Sequence, residues 1–387
     1  MKIAGTSTRP FSRAIYAASI ISTAFLFLFL AYVSGFYEQY PDIARYELMI
    51  QGKFDQAGEP YASRVLGPLL ANLIMRLTDI TALKALAVVN AVSFILFFAS
   101  VSYYLMNNGV KLIDAQVFLI TPYSFIIAKY LYVPDAIGLL SCFLLLLFCF
   151  YRRSNSMSAI LAVLSVLARK TFFVPIGFII LSGVLNKRVL FVAVLIISTM
   201  IGVVSIDFLV GENAANRHNM NMMSYYMLKI PVNLFGNVLG IDMYTNTYQW
   251  CDNPVVVFDV SNIIFIGDVD KVGFCYPSFL KIVRTLFVYL VILGLWPYIA
   301  IFLIVKYYKS RDFRSEDFVV IGAAILLFLL SAGFGRTAER LFIYSYPFLV
   351  FAGPALIKFA RDSKSWNVVR YGTIAVQSIG IIFFFVS

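Results

Sequence analysis

Residues 14–35, AIYAASIISTAFLFLFLAYVSG, form an uncharged apolar run preceded by Lys2, Arg9 and Arg13. A helix needs about 20 mostly apolar residues to cross the hydrocarbon of a bilayer. The run is too long for the apolar region of a cleavable signal peptide and lacks a small-x-small cleavage site. It reads as a first span with the amino terminus in the cytoplasm. Similar runs recur at 80–105, 115–130, 136–151, 157–168, 171–186, 189–210, 284–306, 317–334, 340–359 and 368–386. The chain of 387 residues is 61% hydrophobic and only 13% charged, whereas soluble domains carry about 25% charged residues. The expectation is an all-α polytopic membrane protein with about eleven transmembrane helices, several of them short.

The net charge of +11 does not point to nucleic acid, because Lys and Arg gather in short clusters between spans, as the positive-inside rule requires. Arg152/Arg153, Lys187/Arg188, Lys306/Lys309/Arg311/Arg314 and Lys358/Arg361/Lys364 are expected on the cytoplasmic side. This decides how residues 157–186 are read. One long helix would put Arg152/Arg153 and Lys187/Arg188 on opposite sides, whereas two short helices turning at Arg169-Lys170-Thr171 keep them together. The carboxyl terminus is then extracytoplasmic. The chain divides into an N-terminal transmembrane module (1–210), an extracytoplasmic cap (211–283) and C-terminal transmembrane helices (284–387). The cap is expected to hold helix and a short strand pair.

The first outside loop, 36–79, begins FYEQYPDIARYELMIQGKFDQAGEPYASRVLGPLL (36–70) and concentrates charge among aromatics. Residues 41–53 read as an interfacial helix with Ile43, Tyr46, Met49 and Ile50 on one face. The segment 65–77 is too short to cross and reads as interfacial or re-entrant. Five cations, Arg64, Arg169, Lys170, Arg336 and Arg340, fall at outside tips, where the topology rule disfavours them. Ionisable groups at span ends usually mark a substrate path, and the guanidinium fork suits phosphate. Together they are candidate phosphate-binding residues for the phosphate or diphosphate of a polyprenyl carrier; singly, each reads equally as a snorkelling side chain or half of a structural ion pair. Asp42, after Pro41, is either a helix cap or a general base taking a proton from an acceptor hydroxyl. Asp135, after Pro134, is a second candidate acid with the same capping alternative. Glu47, Asp55 and Glu59 read as solvated.

Other chemistries lack their motifs. The single histidine, His218, stands outside any zinc-spaced cluster, and the chain has no Walker A, GxGxxG or GxSxG sequence. No cofactor is implied, and a divalent metal stays compatible with the reading. Cys142 and Cys149 lie seven apart in one span and read as packing residues. Cys251 and Cys275 lie in the cap and are a candidate disulfide if that loop faces an oxidising compartment.

These features resemble the GT-C superfamily of integral-membrane glycosyltransferases over roughly residues 15–360. Asp42 in YPDIARY matches the acidic residue just past the first span of that family. YASRVLGPLLANLI resembles the Arg-x-Leu-x-Pro-Leu signature of bacterial members. VPDAIGLL, LARKTFFVP and RTAERLFIYSYP resemble recurrent polar helix tips. Many related bacterial sequences carry an acidic residue where this chain has Arg169-Lys170. The resemblance implies inverting transfer of a sugar from a polyprenyl-phosphate-linked donor to an envelope glycan or lipid acceptor, on the outer face of a bacterial inner membrane. Asp42 would be the catalytic base, and Arg64, Arg336 and Arg340 would hold the donor phosphate. An O-antigen-type polymerase or ligase of lipid-linked oligosaccharides, or a non-enzymatic transporter of lipid-linked sugar, shares the layout.

Overall fold

The structure, a computed structural model, describes residues 10–35, 42–57, 64–210, 231–245, 254–259, 271–311, 315–331, 342–362 and 366–386. The chain is mostly helical. In the N-terminal part run α1 (Pro10–Ser34), α2 (Ile43–Ile50), α3 (Phe54–Ala57), α4 (Leu66–Thr78), α5 (Ala82–Asn107), α6 (Leu112–Leu119), α7 (Pro122–Lys129) and α8 (Asp135–Leu146), which ends in a π-helical turn, Leu147–Arg152. There follow α9 (Asn155–Ala168), a 3₁₀ turn (Lys170–Phe172), α10 (Phe173–Leu185) and α11 (Val189–Val210). The cap holds a helix, α12 (231–238), and the strands β1 (Met243–Thr245), β2 (Val256–Asp259) and β3 (Lys271–Phe274). The chain closes with α13 (Phe279–Val291), α14 (Trp296–Lys309), α15 (Glu316–Leu330), α16 (Tyr346–Asp362) and α17 (Trp366–Val386).

Among the described residues five helices are long and apolar enough to cross a membrane: α1, α5, α8 with its π turn, α11 and α17. Two bent pairs, α6 with α7 and α13 with α14, raise the number to seven if each pair is one span. The expected runs at 157–168 and 171–186 are two separate helices, α9 and α10, broken at Arg169 as the charge argument required. The buried face of α2 is Ile43, Tyr46, Met49 and Ile50. The strand pair expected in the cap is instead a three-stranded antiparallel sheet of order β1-β3-β2, with Phe274 opposite both Met243 and Val256.

The runs 115–130 and 284–306 are not the straight helices expected. The first bends by 58° and the second by 69°. Pro122 and Pro297, near the start of α7 and α14, cannot donate to the preceding turn, and Gly294 takes φ +62° at the second bend. A broken helix in lipid survives only if its freed backbone groups find partners inside the protein. Here the two breaks satisfy each other. Tyr123 N–H, in the first turn of α7, donates to Ile292 C=O at 3.1 Å. The Thr121 hydroxyl caps the same turn by accepting from Ser124 N–H at 3.1 Å. Gln377 of α17 donates Nε2–H to Val117 C=O at 3.1 Å and lies against Gly294, where a Cβ would stand 3.0 Å from Nε2.

Ion pairs tie the helix ends together. Arg153, after α8, and Arg188, before α11, both meet Glu316 at the start of α15, at 3.2 and 3.7 Å. Arg361, in the last turn of α16, meets Asp114, in the first turn of α6, at 3.1 Å. Aromatic packing fills the space between: Phe97 with Phe143 and Tyr346, Tyr104 stacked on Phe351, and Tyr123 edge-to-face with Tyr346.

Replacing Gln377 with Leu removes the donor to Val117 and leaves a buried carbonyl bare, at a cost of about 1–3 kcal/mol. A lowered thermal midpoint in detergent is expected, and an unchanged one would show that Val117 C=O has another donor.

Candidate functional site

At the end of α8 away from Arg152, three charged side chains from separate elements come together. Asp135 occupies the first turn of α8 and is 1% exposed. A carboxylate there is favoured by the partial positive charge of the helix N-terminus. Arg169 and Arg64 come to it from elements far apart in sequence. Arg169 follows α9, which runs antiparallel to α8, so the end of α9 returns beside Asp135. Arg64 directly precedes α4. The close approach of α4 to the tip before α8 depends on Gly67: a Cβ there would lie 2.6 Å from Pro134 Cβ.

The Asp135 carboxylate oxygen Oδ1 lies 3.6 Å from Arg169 Nη2 and 3.9 Å from Arg64 Nη1. These are ion-pair distances, longer than a hydrogen bond. Tyrosines orient both guanidinium groups. Arg64 donates Nη1–H to the Tyr46 hydroxyl of α2, and Arg169 lies 5.3 Å from the centre of the Tyr344 ring. Tyr344 is held in turn by a hydrogen bond with the Thr171 hydroxyl and by the edge of Phe172. Arg169 is 4% exposed, and its Nη1 has no hydrogen-bond partner among the described residues. A buried donor without an acceptor costs its full desolvation. Two guanidinium groups thus share the Asp135 carboxylate at ion-pair distance.

Asp42 stands at the N-terminal boundary of α2, one turn before Tyr46. It is buried, and its side chain makes no capping hydrogen bond, so the capping alternative has no support. Asp135 likewise does not cap, since the boundary position of α8 is Pro134. Lys170 turns away from its neighbour Arg169: its ammonium pairs with Asp207 of α11 at 2.6 Å. Arg336, Arg340 and Cys251 lie outside the described residues. Cys275 is disulfide-bonded, and Cys142 and Cys149 are free and buried. Among the described residues no group of three or more His, Cys, Asp or Glu side chains could hold a metal ion.

Sequence reasoning missed the tyrosines. Tyr46 was legible as one turn beyond Asp42 but counted as an apolar anchor, and Tyr344 stands in the FIYSYP stretch behind the arginines. It also missed Lys129, a buried lysine at the end of α7 that donates to Phe384 C=O at 3.0 Å. No protein-family model, curated protein or solved structure matches this chain.

Breaking a buried ion pair from one side typically costs about 3–5 kcal/mol. Asp135→Asn is expected to lose stability on that scale in a denaturation curve, and the double change Asp135→Asn with Arg169→Gln to recover part of it. Full additivity of the two changes would mean that the pair is not coupled.

Proposed function

We propose that the protein is a GT-C-like glycosyltransferase that moves a sugar from a polyprenyl-phosphate carrier to an envelope glycan or lipid acceptor. The observation that supports this reading is the buried Nη1 of Arg169, which has no hydrogen-bond acceptor among the described residues. A phosphate oxygen would supply that acceptor. Arg64 and Arg169 then bind the donor phosphate, and Asp135 positions them by holding both guanidinium groups.

In the transfer step Asp42 takes the proton of the acceptor hydroxyl. The acceptor oxygen bonds to the anomeric carbon as the bond from that carbon to the phosphate oxygen breaks, with inversion. The departing phosphate gathers charge, which preorganised cations stabilise most in a water-poor site. Lys170, paired with Asp207, serves the rim of the site. Arg336 and Arg340 remain candidates for the same phosphate.

The proposed topology has eleven crossings. Its support is the pairing of Arg153 and Arg188 with one Glu316, which sets the two basic clusters at the same end, and the gathering of Arg64, Asp135 and Arg169 at the other ends of α8 and α9. Positive-inside bias assigns the first end to the cytoplasm. The disulfide-bonded state of Cys275 accords with a cap in an oxidising compartment.

Asp42→Asn is expected to lower the rate of sugar transfer by about 10²–10⁴-fold with an unchanged thermal midpoint, assayed over a panel of polyprenyl-phosphate sugars. Near-normal transfer would remove Asp42 as the base. Arg169→Gln is expected to raise the donor KM, and an unaltered KM would remove it from the phosphate site.

A further inference from the structure

The sheet of the cap plays no part in the site above, and its outer strand carries a different message. Among the described residues β2 is an edge strand, paired with β3 on one side. Strands in water normally hide one face, yet Val255, Val256, Val257 and Phe258 are all exposed. Four consecutive apolar residues exposed on both faces of an edge strand are what proteins in water avoid.

The neighbouring surface says what covers them. Along α13, Phe279, Val283, Leu286 and Leu290 are exposed at the three–four spacing of a single helix face. Tyr276 extends that stripe beyond the first turn and is 79% exposed. α13 belongs to a bent pair with the length and composition of a span, so this stripe faces lipid. The sheet is fastened to the top of it. Ser278 N–H donates to Gly240 C=O at 2.8 Å, and Cys275 N–H to Asp242 C=O at 2.9 Å. Lys281 of α13 pairs with the Asp242 carboxylate. Val255 N–H donates to Phe274 C=O at 2.8 Å. Phe274 lies five residues before Phe279, a reach of at most about 17 Å.

We propose that β2 lies in the interfacial layer of the bilayer, where Val255–Phe258 continue the lipid-facing stripe of α13 across the surface of the outer leaflet. The partner is phospholipid at the boundary of headgroup and acyl chain. Among the described residues no strand pairs with the outer side of β2, and backbone groups cannot enter hydrocarbon unpaired, so the strand lies where water and headgroups reach it while its apolar side chains meet the first methylenes. Aromatic residues such as Phe258 and Tyr276 suit that layer, Tyr by its amphipathic ring, and the exposed Lys271 of β3 can meet lipid phosphate. The proposal is independent of the transferase reading.

The test places p-benzoylphenylalanine at Val257 in the full chain, in nanodiscs of phosphatidylethanolamine and phosphatidylglycerol, with the same group at Leu286 as the lipid-facing control. Irradiation is expected to give phospholipid adducts at both positions by mass spectrometry. Adducts at Leu286 with none at Val257, or a cross-link from Val257 only to a second copy of the chain or to its own residues, would overturn it. A spin label at Val257 in a Cys142→Ala, Cys149→Ala background supplies a second reading. Collisions with oxygen exceeding those with an aqueous nickel chelate, relative to free label in buffer, support the proposal. A ratio equal to that of free label, or protection from both quenchers, overturns it.

Discussion

The site end of this protein is organised around one carboxylate. Asp135 is almost fully buried, and a buried charge is tolerated only when it is paired. It takes its partners from Arg169, at the end of the returning helix α9, and from Arg64, in front of α4. That need joins the segment before α4 to the α8–α9 hairpin. The tyrosines that orient the arginines, Tyr46 and Tyr344, come from still other parts of the chain. Two arginines gathered at one buried carboxylate, with the Nη1 of Arg169 unsatisfied among the described residues, underlie the proposed transfer from a phosphate-linked donor.

Backbone satisfaction in lipid governs the other half of the molecule. The bends between α6 and α7 and between α13 and α14 free donors and acceptors that hydrocarbon cannot solvate. The chain brings the two bends together, so that Tyr123 N–H meets Ile292 C=O, and sends Gln377 from the last helix to Val117 C=O. Gly294 leaves the space that Gln377 occupies. Thus α17 closes the same region that the two breaks open. The same rule is why β2 is proposed to lie at the polar boundary of the bilayer rather than in hydrocarbon.

Much of the fold was legible. The helix break at Arg169 followed from two basic clusters that had to share a side, and Arg153 and Arg188 do meet one Glu316. The apolar face of α2 followed from its spacing. The bends did not follow from the hydropathy of 115–130 and 284–306, because an apolar run says nothing of where its backbone bonds go. Pro122, Gly294 and Pro297 were the local signs. The third strand of the cap was equally hidden, since strands this short carry too little pattern to separate from loop. Within the site, the misplaced arginines were visible as exceptions to a topology rule. Their division was not: adjacent Arg169 and Lys170 serve different carboxylates, Asp135 and Asp207, because an extended residue at a helix break sends successive side chains in different directions.

The sequence by itself determined that this chain is built from long apolar helices, as a membrane protein is. Hydrophobic length is summed over many residues, and no single contact can reverse it. Only the tertiary structure decided which charges act together. Ion pairing in a buried site depends on distances of a few ångströms between elements scores of residues apart, as between Arg64, Asp135 and Arg169. Those distances are set by helix packing, such as the approach of Gly67 to Pro134, rather than by any local pattern.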